Sequence, residues 1–220
     1  MQARVSPRPP APHADAWNNI AVLLRGQGHY DEAEDAYARA VRANPAHVVA
    51  WQNRGNLLAR IGRLEEAAAA YVRALELRPG NTIVYDALGK ALYRARKIDQ
   101  AIHIYRRWLK ADPDSSVARH MLAACTGEAI PERASDGYVR DVFDAFSGSF
   151  DQVLDQLGYR APRLIAELLD RVLPAPDASL NVADGGCGTG LCGDFLRPRS
   201  RRLVGVDLSP GMLATFCRLT

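Results

Sequence analysis

The sequence predicts a stack of helical hairpins, an α-solenoid, followed by the first part of an α/β domain. Two observations lead to this prediction. Five columns of residues recur with a period of 34 in the first half of the chain, and a glycine-rich turn lies between two short apolar segments near its end. A fixed period of this length is typical of stacked helix–turn–helix units. Apolar segments separated by a glycine turn and a helix are typical of a parallel βαβ unit.

The 34-residue period is visible in aromatic, small and proline positions. Each unit contains two amphipathic helices, because apolar residues recur at helical spacing on both sides of a break. A proline ends each unit, since the residue before it is disfavoured in helical geometry. We therefore predict three units over residues 14–115, capped by residues 117–124. The recurring residues are Trp17, Trp51 and Tyr85; Ala21, Gly55 and Gly89; Ala33, Ala67 and Ala101; Tyr37, Tyr71 and Tyr105; and Pro45, Pro79 and Pro113.

The small and aromatic columns have a packing reason. Alanine or glycine at 21, 55 and 89 allows close helix approach, and the rings at 37, 71 and 105 are predicted to fill the space between units. These residues resemble the tetratricopeptide (TPR) pattern W-x2-L-G-x2-Y, then A-x3-F, then P, although Arg54 and Trp108 depart from it.

The first helices of such repeats would line a concave face that recruits a protein or peptide. This face is predicted to be polar and cationic, which suits an acidic peptide. The candidate partner-binding residues are Gln52, Asn56, Arg60, Lys90 and Arg94.

Composition excludes several classes. The chain has 220 residues, a net charge of +3 and a pI of about 8.7, which is too weak a bias for nucleic acid or an anionic membrane. It contains no apolar run near the roughly 18 residues that span a bilayer. Residues 1–12 are proline-rich and lack a secretion signal, so we expect a cytoplasmic protein. The four cysteines form no C-x-x-C pair, and we expect reduced thiols and no metal.

The chain is predicted to be organised as a flexible leader over 1–13, repeats with a capping helix over 14–124, a linker over 125–137 and an α/β segment over 138–220. In the last segment, the strands are predicted at 180–184 and 202–207, with a helix of about two turns between them. Glycines after the first strand allow a tight turn whose amides face a ligand. Asp207 follows Asp184 by 23 residues, the usual place for a carboxylate that binds ribose hydroxyls.

Two ligands fit this turn. Gly188 to Gly193 matches the dinucleotide signature G-x-G-x-x-G, whereas Asp184 to Gly190 matches D-x-G-x-G-x-G. A pyrophosphate beside the Asp184 carboxylate would be repelled, but the ammonium and sulfonium groups of S-adenosylmethionine would be attracted. Charge therefore favours S-adenosylmethionine over NAD, and a turn without any ligand is the third alternative. The chain has no G-K-[ST] motif, so a nucleoside triphosphate is not supported.

Asp184 to Gly190 resembles motif I of class I S-adenosylmethionine-dependent methyltransferases, and Leu203 to Leu213 resembles the motif after it, V-G-x-D-x-S-x-x-M-L. Phe143 to Asp151 is similar to the entry segment of bacterial methyltransferases that carry N-terminal TPR repeats. The resemblance implies a Rossmann-like fold. It also implies that S-adenosylmethionine is bound by Asp184, Gly186, Cys187, Gly188, Gly190, Asp207, Leu208 and Met212, and covered by Tyr138, Phe143, Phe150 and Tyr159.

The resemblance leaves two functions open. Enzymes of this family build a seven-stranded sheet, whereas this sequence ends at Thr220, soon after the second predicted strand. We therefore expect a partial, truncated methyltransferase domain. The first hypothesis is methyl transfer to an unknown acceptor that the repeats recruit, without an assigned general base. The alternative is a non-catalytic interaction module whose methyltransferase remnant is inert.

Overall fold

The computed structural model describes residues 13–128 and 132–216. The chain forms two compact units, unit 1 up to Ile130 and unit 2 from Pro131 onwards. The predicted leader up to residue 12, part of the predicted linker and Cys217 lie outside the described residues.

Unit 1 is built from helical hairpins, as the 34-residue period predicts. Helices α1 and α2, α3 and α4, and α5 and α6 form successive antiparallel pairs, and α7 packs on the last pair as the cap. The predicted cap over 117–124 is slightly longer in the structure. The bounds are α1 His13–Gly26, α2 Tyr30–Ala43, α3 Val48–Arg60, α4 Leu64–Leu77, α5 Thr82–Arg94, α6 Ile98–Ala111 and α7 Ser116–Thr126.

The small and aromatic columns meet between the two helices of one repeat, whereas the rings were predicted to lie between units. A Cβ atom added to Gly55 would lie 2.6 Å from a ring carbon of Tyr71, and one added to Gly89 would lie closer still to the ring of Tyr105. The three column tyrosines, Tyr37, Tyr71 and Tyr105, are buried. The rings therefore occupy the space that the missing side chains leave, and this contact fixes how closely the helices of one repeat approach.

Replacing Gly89 with alanine is expected to lower the free energy of unfolding of unit 1 by on the order of 1–2 kcal/mol. Alanine gains about 1 kcal/mol of helix propensity, but overpacking a core costs about 1–3 kcal/mol, and the Tyr105 ring is fully buried. Urea unfolding followed by tryptophan fluorescence measures the change, since the three tryptophans all lie in unit 1. Gly80→Ala is the control, because no atom lies within 4 Å of its added Cβ. Equal stability of Gly89→Ala and the wild type would contradict the packing argument.

Unit 2 contains a parallel pair of strands and several short helices. Strand β1 pairs with strand β2 so that Asp184 lies opposite Gly205 and Gly185 opposite Val206, which confirms the predicted parallel arrangement. The elements are α8 Asp136–Phe146, a 3₁₀ turn Ser147–Ser149, α9 Phe150–Gln156, α10 Ala161–Val172, β1 Leu180–Gly185, α11 Gly193–Leu196, a 3₁₀ turn Arg197–Arg199, β2 Ser200–Val206 and α12 Pro210–Phe216.

The helix between the strands is shorter than predicted. Helix α11 makes a single turn from Gly193 to Leu196 and then tightens into a 3₁₀ turn that contains Pro198. The expectation of two turns was wrong, because proline has no N–H to donate and its ring clashes with the preceding turn of an α-helix.

Much apolar surface of unit 2 stays exposed. Leu164, Leu168 and Val172 on α10 are exposed, and so are Val204 and Val206 on β2. Hydrogen bonds add to this packing. The buried Arg199 guanidinium donates to the Asp170 carboxylate and to the Pro174 carbonyl, and these bonds link the end of α10 to the start of β2. Within the described ranges, no helix has the length and apolar character to cross a membrane.

Candidate functional site

The strand register brings two carboxylates to one end of the sheet. Asp184 is the penultimate residue of β1, and Asp207 directly follows β2. The chain after β1 then folds back over the end of β2: the N–H groups of Gly186 and Cys187 donate to the Val206 carbonyl at 2.7 and 3.1 Å. Gly186 has a φ of +79°, a conformation that residues with a Cβ rarely adopt. The glycine is needed for this reversal.

Asp207 organises the two loops that follow the strands. Its Oδ2 accepts a hydrogen bond from the Gly188 N–H at 2.9 Å, and its Oδ1 accepts one from the Ser209 N–H at 2.8 Å. A carboxylate oxygen has two acceptor positions, so each oxygen keeps one for a ligand hydroxyl. Gly190, with a φ of +90°, completes the turn by donating its N–H to the Cys187 carbonyl at 2.9 Å.

Asp184 is in an unfavourable environment for a negative charge. Burial raises the pKa of its carboxyl above the usual value, and the nearby Asp207 charge raises it further. A positively charged group at this position would relieve both effects, whereas a phosphate would increase the repulsion. The strand end at Asp184 is therefore less unfavourable to a cation than to an anion.

A cavity of about 360 Å³ opens between these loops and helices α8 and α9, which contain the predicted entry segment and are called the entry helices below. Five of the predicted cofactor-binding residues line it, and so do two of the four predicted covering aromatics. The predicted residues in its lining are Gly186, Gly188, Asp207, Leu208, Met212, Phe143 and Phe150, and Val139 is an additional one.

The other predicted residues do not line this cavity. Asp184 and Gly190 lie within the strand end and the glycine turn, and Cys187 is buried in that turn. Tyr159 is more than half exposed. Phe150 lies closest to the turn, with a ring carbon 3.9 Å from the position of a Cβ on Gly188.

Two further carboxylates, which the sequence analysis did not single out, connect the entry helices to the loops. Asp144 Oδ1 accepts hydrogen bonds from the Ser209 hydroxyl and from the Gly211 N–H, the latter at 2.9 Å. These bonds hold the pKa of the Asp144 carboxyl below its usual value. Asp151 accepts a hydrogen bond from the buried Thr189 hydroxyl.

Unit 1 has a separate candidate site, a groove of about 800 Å³ along the ends of its first helices. Of the predicted partner-binding residues, Asn56, Arg60 and Arg94 line this groove. Gln52 accepts a hydrogen bond from Asn81, and Lys90 forms an ion pair with Asp86 at 2.7 Å. The remaining lining residues are Arg25, Gly26, Gln27, Gly28, Tyr30, Ala59 and Tyr71.

The groove concentrates positive charge. Over the described residues, no carboxylate pairs with Arg25, Arg60 or Arg94 within 4.0 Å. Arg60 lies 5.4 Å from the Tyr30 ring centroid, and Arg94 donates to the Ala59 carbonyl at 3.2 Å. By contrast Arg54, the residue that departs from the repeat pattern, pairs with Glu34 through three hydrogen bonds.

The floor of the groove is fixed by a hydrogen bond between repeat helices. The Tyr71 hydroxyl donates to Asn56 Oδ1 at 2.8 Å, and burial raises the pKa of Tyr71 to about 12. The phenol therefore stays protonated near neutral pH. Because the Asn56 oxygen is engaged, its amide nitrogen is left as the donor for a ligand.

In the part of the chain that the structure describes, no group of three or more His, Cys, Asp or Glu side chains could hold a metal ion. His47 caps α3 by accepting a hydrogen bond from the Ala50 N–H at 3.2 Å.

Two comparisons with known proteins find similar sequences. Two family models, both described as tetratricopeptide repeat, match residues 18–82 and 58–125. The human methyltransferase-like protein 27 is 46% identical over 72 residues, which cover 32% of this chain and 29% of that protein. The chain thus spans under a third of the length of this curated relative.

Several TPR domains are among the solved structures similar to this chain. The first TPR of Spaghetti (RPAP3), bound to the HSP90 peptide SRMEEVD, is 26% identical with a TM-score of 0.48 and covers 53% of this chain and 93% of its own. The Sgt2 TPR domain from Aspergillus fumigatus is 22% identical with a TM-score of 0.48 and covers 56% and 84%. The two family models confirm the predicted repeats over residues 18–125.

Proposed function

We propose that unit 1 is a protein-interaction module that binds an acidic segment of a partner protein in the groove of its first helices. The observation that carries this proposal is that three arginines of one groove, Arg25, Arg60 and Arg94, have no carboxylate within 4.0 Å among the residues that the structure describes. A guanidinium presents planar N–H donors that match a carboxylate in a bidentate pair. Bringing these charges together without counter-charges is unfavourable unless an anionic ligand offsets the repulsion.

The shape of the groove favours an extended ligand over a single ion. Arg25, Arg60 and Arg94 come from α1, α3 and α5, so a ligand that meets all three has to cross three successive repeats. Asn56 adds an amide donor that suits a peptide carbonyl. We infer that carboxylate side chains of the partner contact the arginines while its backbone accepts a hydrogen bond from Asn56.

A labelled hexaglutamate peptide tests this proposal by fluorescence anisotropy. We expect saturable binding that weakens as salt is added, because screening shortens the range of the attraction. The double variant Arg60→Gln/Arg94→Gln should bind at least tenfold more weakly, about 1.4 kcal/mol. Arg78→Gln, which replaces an exposed arginine outside the groove, is the matched control. Equal binding of hexalysine, or an unaltered affinity of the double variant, would count against the proposal.

We infer as a second function that unit 2 binds S-adenosylmethionine in the cavity at the strand ends. The identity with methyltransferase-like protein 27 supports it, as does the raised pKa of Asp184, which favours a cationic ligand. The residues present fit the cofactor: Asp207 keeps acceptor positions for ribose hydroxyls, the glycines let a ligand approach the backbone, and apolar side chains line the wall.

Methyl transfer is the reaction that this fit would serve. When bound, S-adenosylmethionine supplies a methyl group on a sulfonium sulfur, and the neutral thioether is the leaving group. In this proposal Asp207 holds the ribose, and Leu208 and Met212 contact the adenine. Phe143 and Phe150 exclude water from the cavity. No residue is assigned as a base, because positioning alone can account for much of the rate in such a transfer. The acceptor is recruited by unit 1.

Calorimetric titration of the full chain separates the ligands that the sequence leaves open. We expect micromolar binding of S-adenosylmethionine and no binding of NAD, because the NAD pyrophosphate would be repelled by Asp184. If neither ligand binds while the helical content is retained, the chain is an interaction module with an inert remnant. If S-adenosylmethionine binds, incubation with a radiolabelled methyl group and a cell lysate identifies the acceptor class.

A further inference from the structure

The entry helices of unit 2 are attached to the cavity at two points, one on each loop. Asp144, near the end of α8, contacts the loop after β2. Asp151, in the first turn of α9, contacts the glycine turn after β1. One wall of the cavity is formed by Val139 and Phe143, which precede Asp144 in the chain, and by Phe150, which lies between Asp144 and Asp151. The same short segment therefore carries both the apolar cover and its polar attachments.

The Asp144 contact is closely fitted. Besides the bonds from Ser209 and Gly211 to Asp144, the Met212 N–H donates to the Ser209 hydroxyl oxygen at 3.1 Å, and Met212 lines the cavity. A Cβ on Gly211 would lie 3.2 Å from the Asp144 Cα atom, so the two backbones meet at a position where only glycine fits without displacement. The start of α12 is held against α8 by this contact.

The Asp151 contact acts on the other loop. Thr189, whose hydroxyl donates to Asp151, stands between Gly188 and Gly190 and is almost fully buried. It therefore ties α9 to the part of the turn whose amide meets Asp207. The ring of Phe150, the residue before Asp151, packs edge-on against Phe146 with a centroid distance of 5.4 Å, which keeps the aromatic cover together.

We propose that Asp144 and Asp151 are positioning residues that hold segment 139–151 over the cavity and so control the release of its ligand. This inference rests on the proposed binding of S-adenosylmethionine for the identity of the ligand, but not for the attachment itself. Neither carboxylate needs to touch the ligand. Each acts through the residues it fixes, Asp144 through Ser209 and Met212, and Asp151 through Thr189.

Hydrogen exchange on the ligand-free full chain tests the attachment. In the double variant Asp144→Ala/Asp151→Ala, we expect amides of residues 138–151 and 209–213 to exchange at least tenfold faster, while α10 and unit 1 exchange as in the wild type. The variant Asp144→Asn/Asp151→Asn keeps an acceptor oxygen at each site and should restore slow exchange. Asp155→Ala, an exposed carboxylate on the same helix as Asp151, should change nothing.

Stopped-flow dissociation of S-adenosylmethionine tests the consequence. The double variant Asp144→Ala/Asp151→Ala (the alanine pair) should release the ligand at least tenfold faster with little change in the association rate. The double variant Asp144→Asn/Asp151→Asn (the asparagine pair) should behave like the wild type. If the wild type does not bind this ligand, the proposed cofactor is wrong, and the exchange experiment still decides whether the attachment exists.

Two results would overturn the inference. One is wild-type exchange in residues 138–151 of the alanine pair. The other is an equal rise in exchange through α10 that the asparagine pair fails to reverse, which would show that the carboxylates only stabilise unit 2 as a whole. If the alanine pair unfolds unit 2, hydrogen exchange of the single variants Asp144→Ala and Asp151→Ala is measured instead, and the same two results would overturn the inference.

Discussion

Replacing Tyr71 with alanine is expected to lower the free energy of unfolding of unit 1 by about 3–5 kcal/mol, the usual cost of removing a large buried ring. The side chain is 2% exposed and belongs to the largest buried cluster of the repeats. Its ring fills the space beside Gly55, so that its removal leaves a cavity that a neighbouring Cβ does not close. The loss also removes the donor to Asn56. Urea unfolding followed by tryptophan fluorescence reports this change.

Two controls separate the ring from its hydroxyl and from its position. Tyr71→Phe keeps the ring and removes one neutral hydrogen bond, so it should cost only about 1 kcal/mol. Tyr93→Ala removes a tyrosine from the same stack that is 43% exposed, and surface substitutions of this kind usually stay within about 0.5 kcal/mol. A Tyr71→Ala chain that unfolds at the same urea concentration as Tyr93→Ala would show that the glycine–tyrosine contact does not organise the repeats.

The repeat architecture could be predicted from the sequence because its determinants recur. The packing of Tyr71 beside Gly55 is repeated by that of Tyr105 beside Gly89, at the same sequence spacing. A contact that recurs in each repeat therefore appears in the sequence as two columns of residues with a common period. A further column was not predicted: Gly28, Gly62 and Arg96 all have positive φ at the turn inside each repeat. Arginine at the third position hides the column from a search for glycines.

Only part of the groove in unit 1 could be predicted from the sequence. Asn56, Arg60 and Arg94 follow from the rule that first helices line one face, and Arg25 belongs to the same face at the end of α1. Whether a charged side chain on this face is free to bind a ligand depends on whether a neighbouring side chain of opposite charge pairs with it. Lys90 is paired with Asp86 one turn earlier, whereas Arg94 has no carboxylate in reach in the described structure. Pairing of this kind is a property of rotamers and distances rather than of sequence columns.

In unit 2, local motifs were predictable and long-range contacts were not. The glycine turn and the strand pair follow from residues close together in the chain. The bond between Ser209 and Asp144 joins residues 65 positions apart, and that between Thr189 and Asp151 joins residues 38 apart. An aspartate between aromatic residues carries no signal of such a partner, because exposed aspartates are common on helices of this kind.

Replacing Asp207 with alanine is expected to weaken S-adenosylmethionine binding by at least 100-fold. Hydrogen bonds to a charged group contribute about 1.5–3 kcal/mol each, and in the proposed complex Asp207 accepts them from the ribose. Each factor of ten in affinity corresponds to about 1.4 kcal/mol, so two such bonds account for the loss. The alanine also removes the acceptor for the Gly188 and Ser209 amides, which loosens both loops. Calorimetry on the full chain measures the dissociation constant.

The contribution of the ribose can be separated from that of the loops. An analogue of S-adenosylmethionine without the 2′ and 3′ hydroxyls cannot donate to Asp207, so the wild type should bind it weakly and Asp207→Ala should lower its affinity much less. If Asp207 only holds the loops together, the alanine weakens the cofactor and the analogue by the same factor. Loss of equal size for both ligands would therefore remove the ribose contact from the proposal. A loss confined to the natural cofactor places the carboxylate against the ribose, because the loop contacts are common to both complexes.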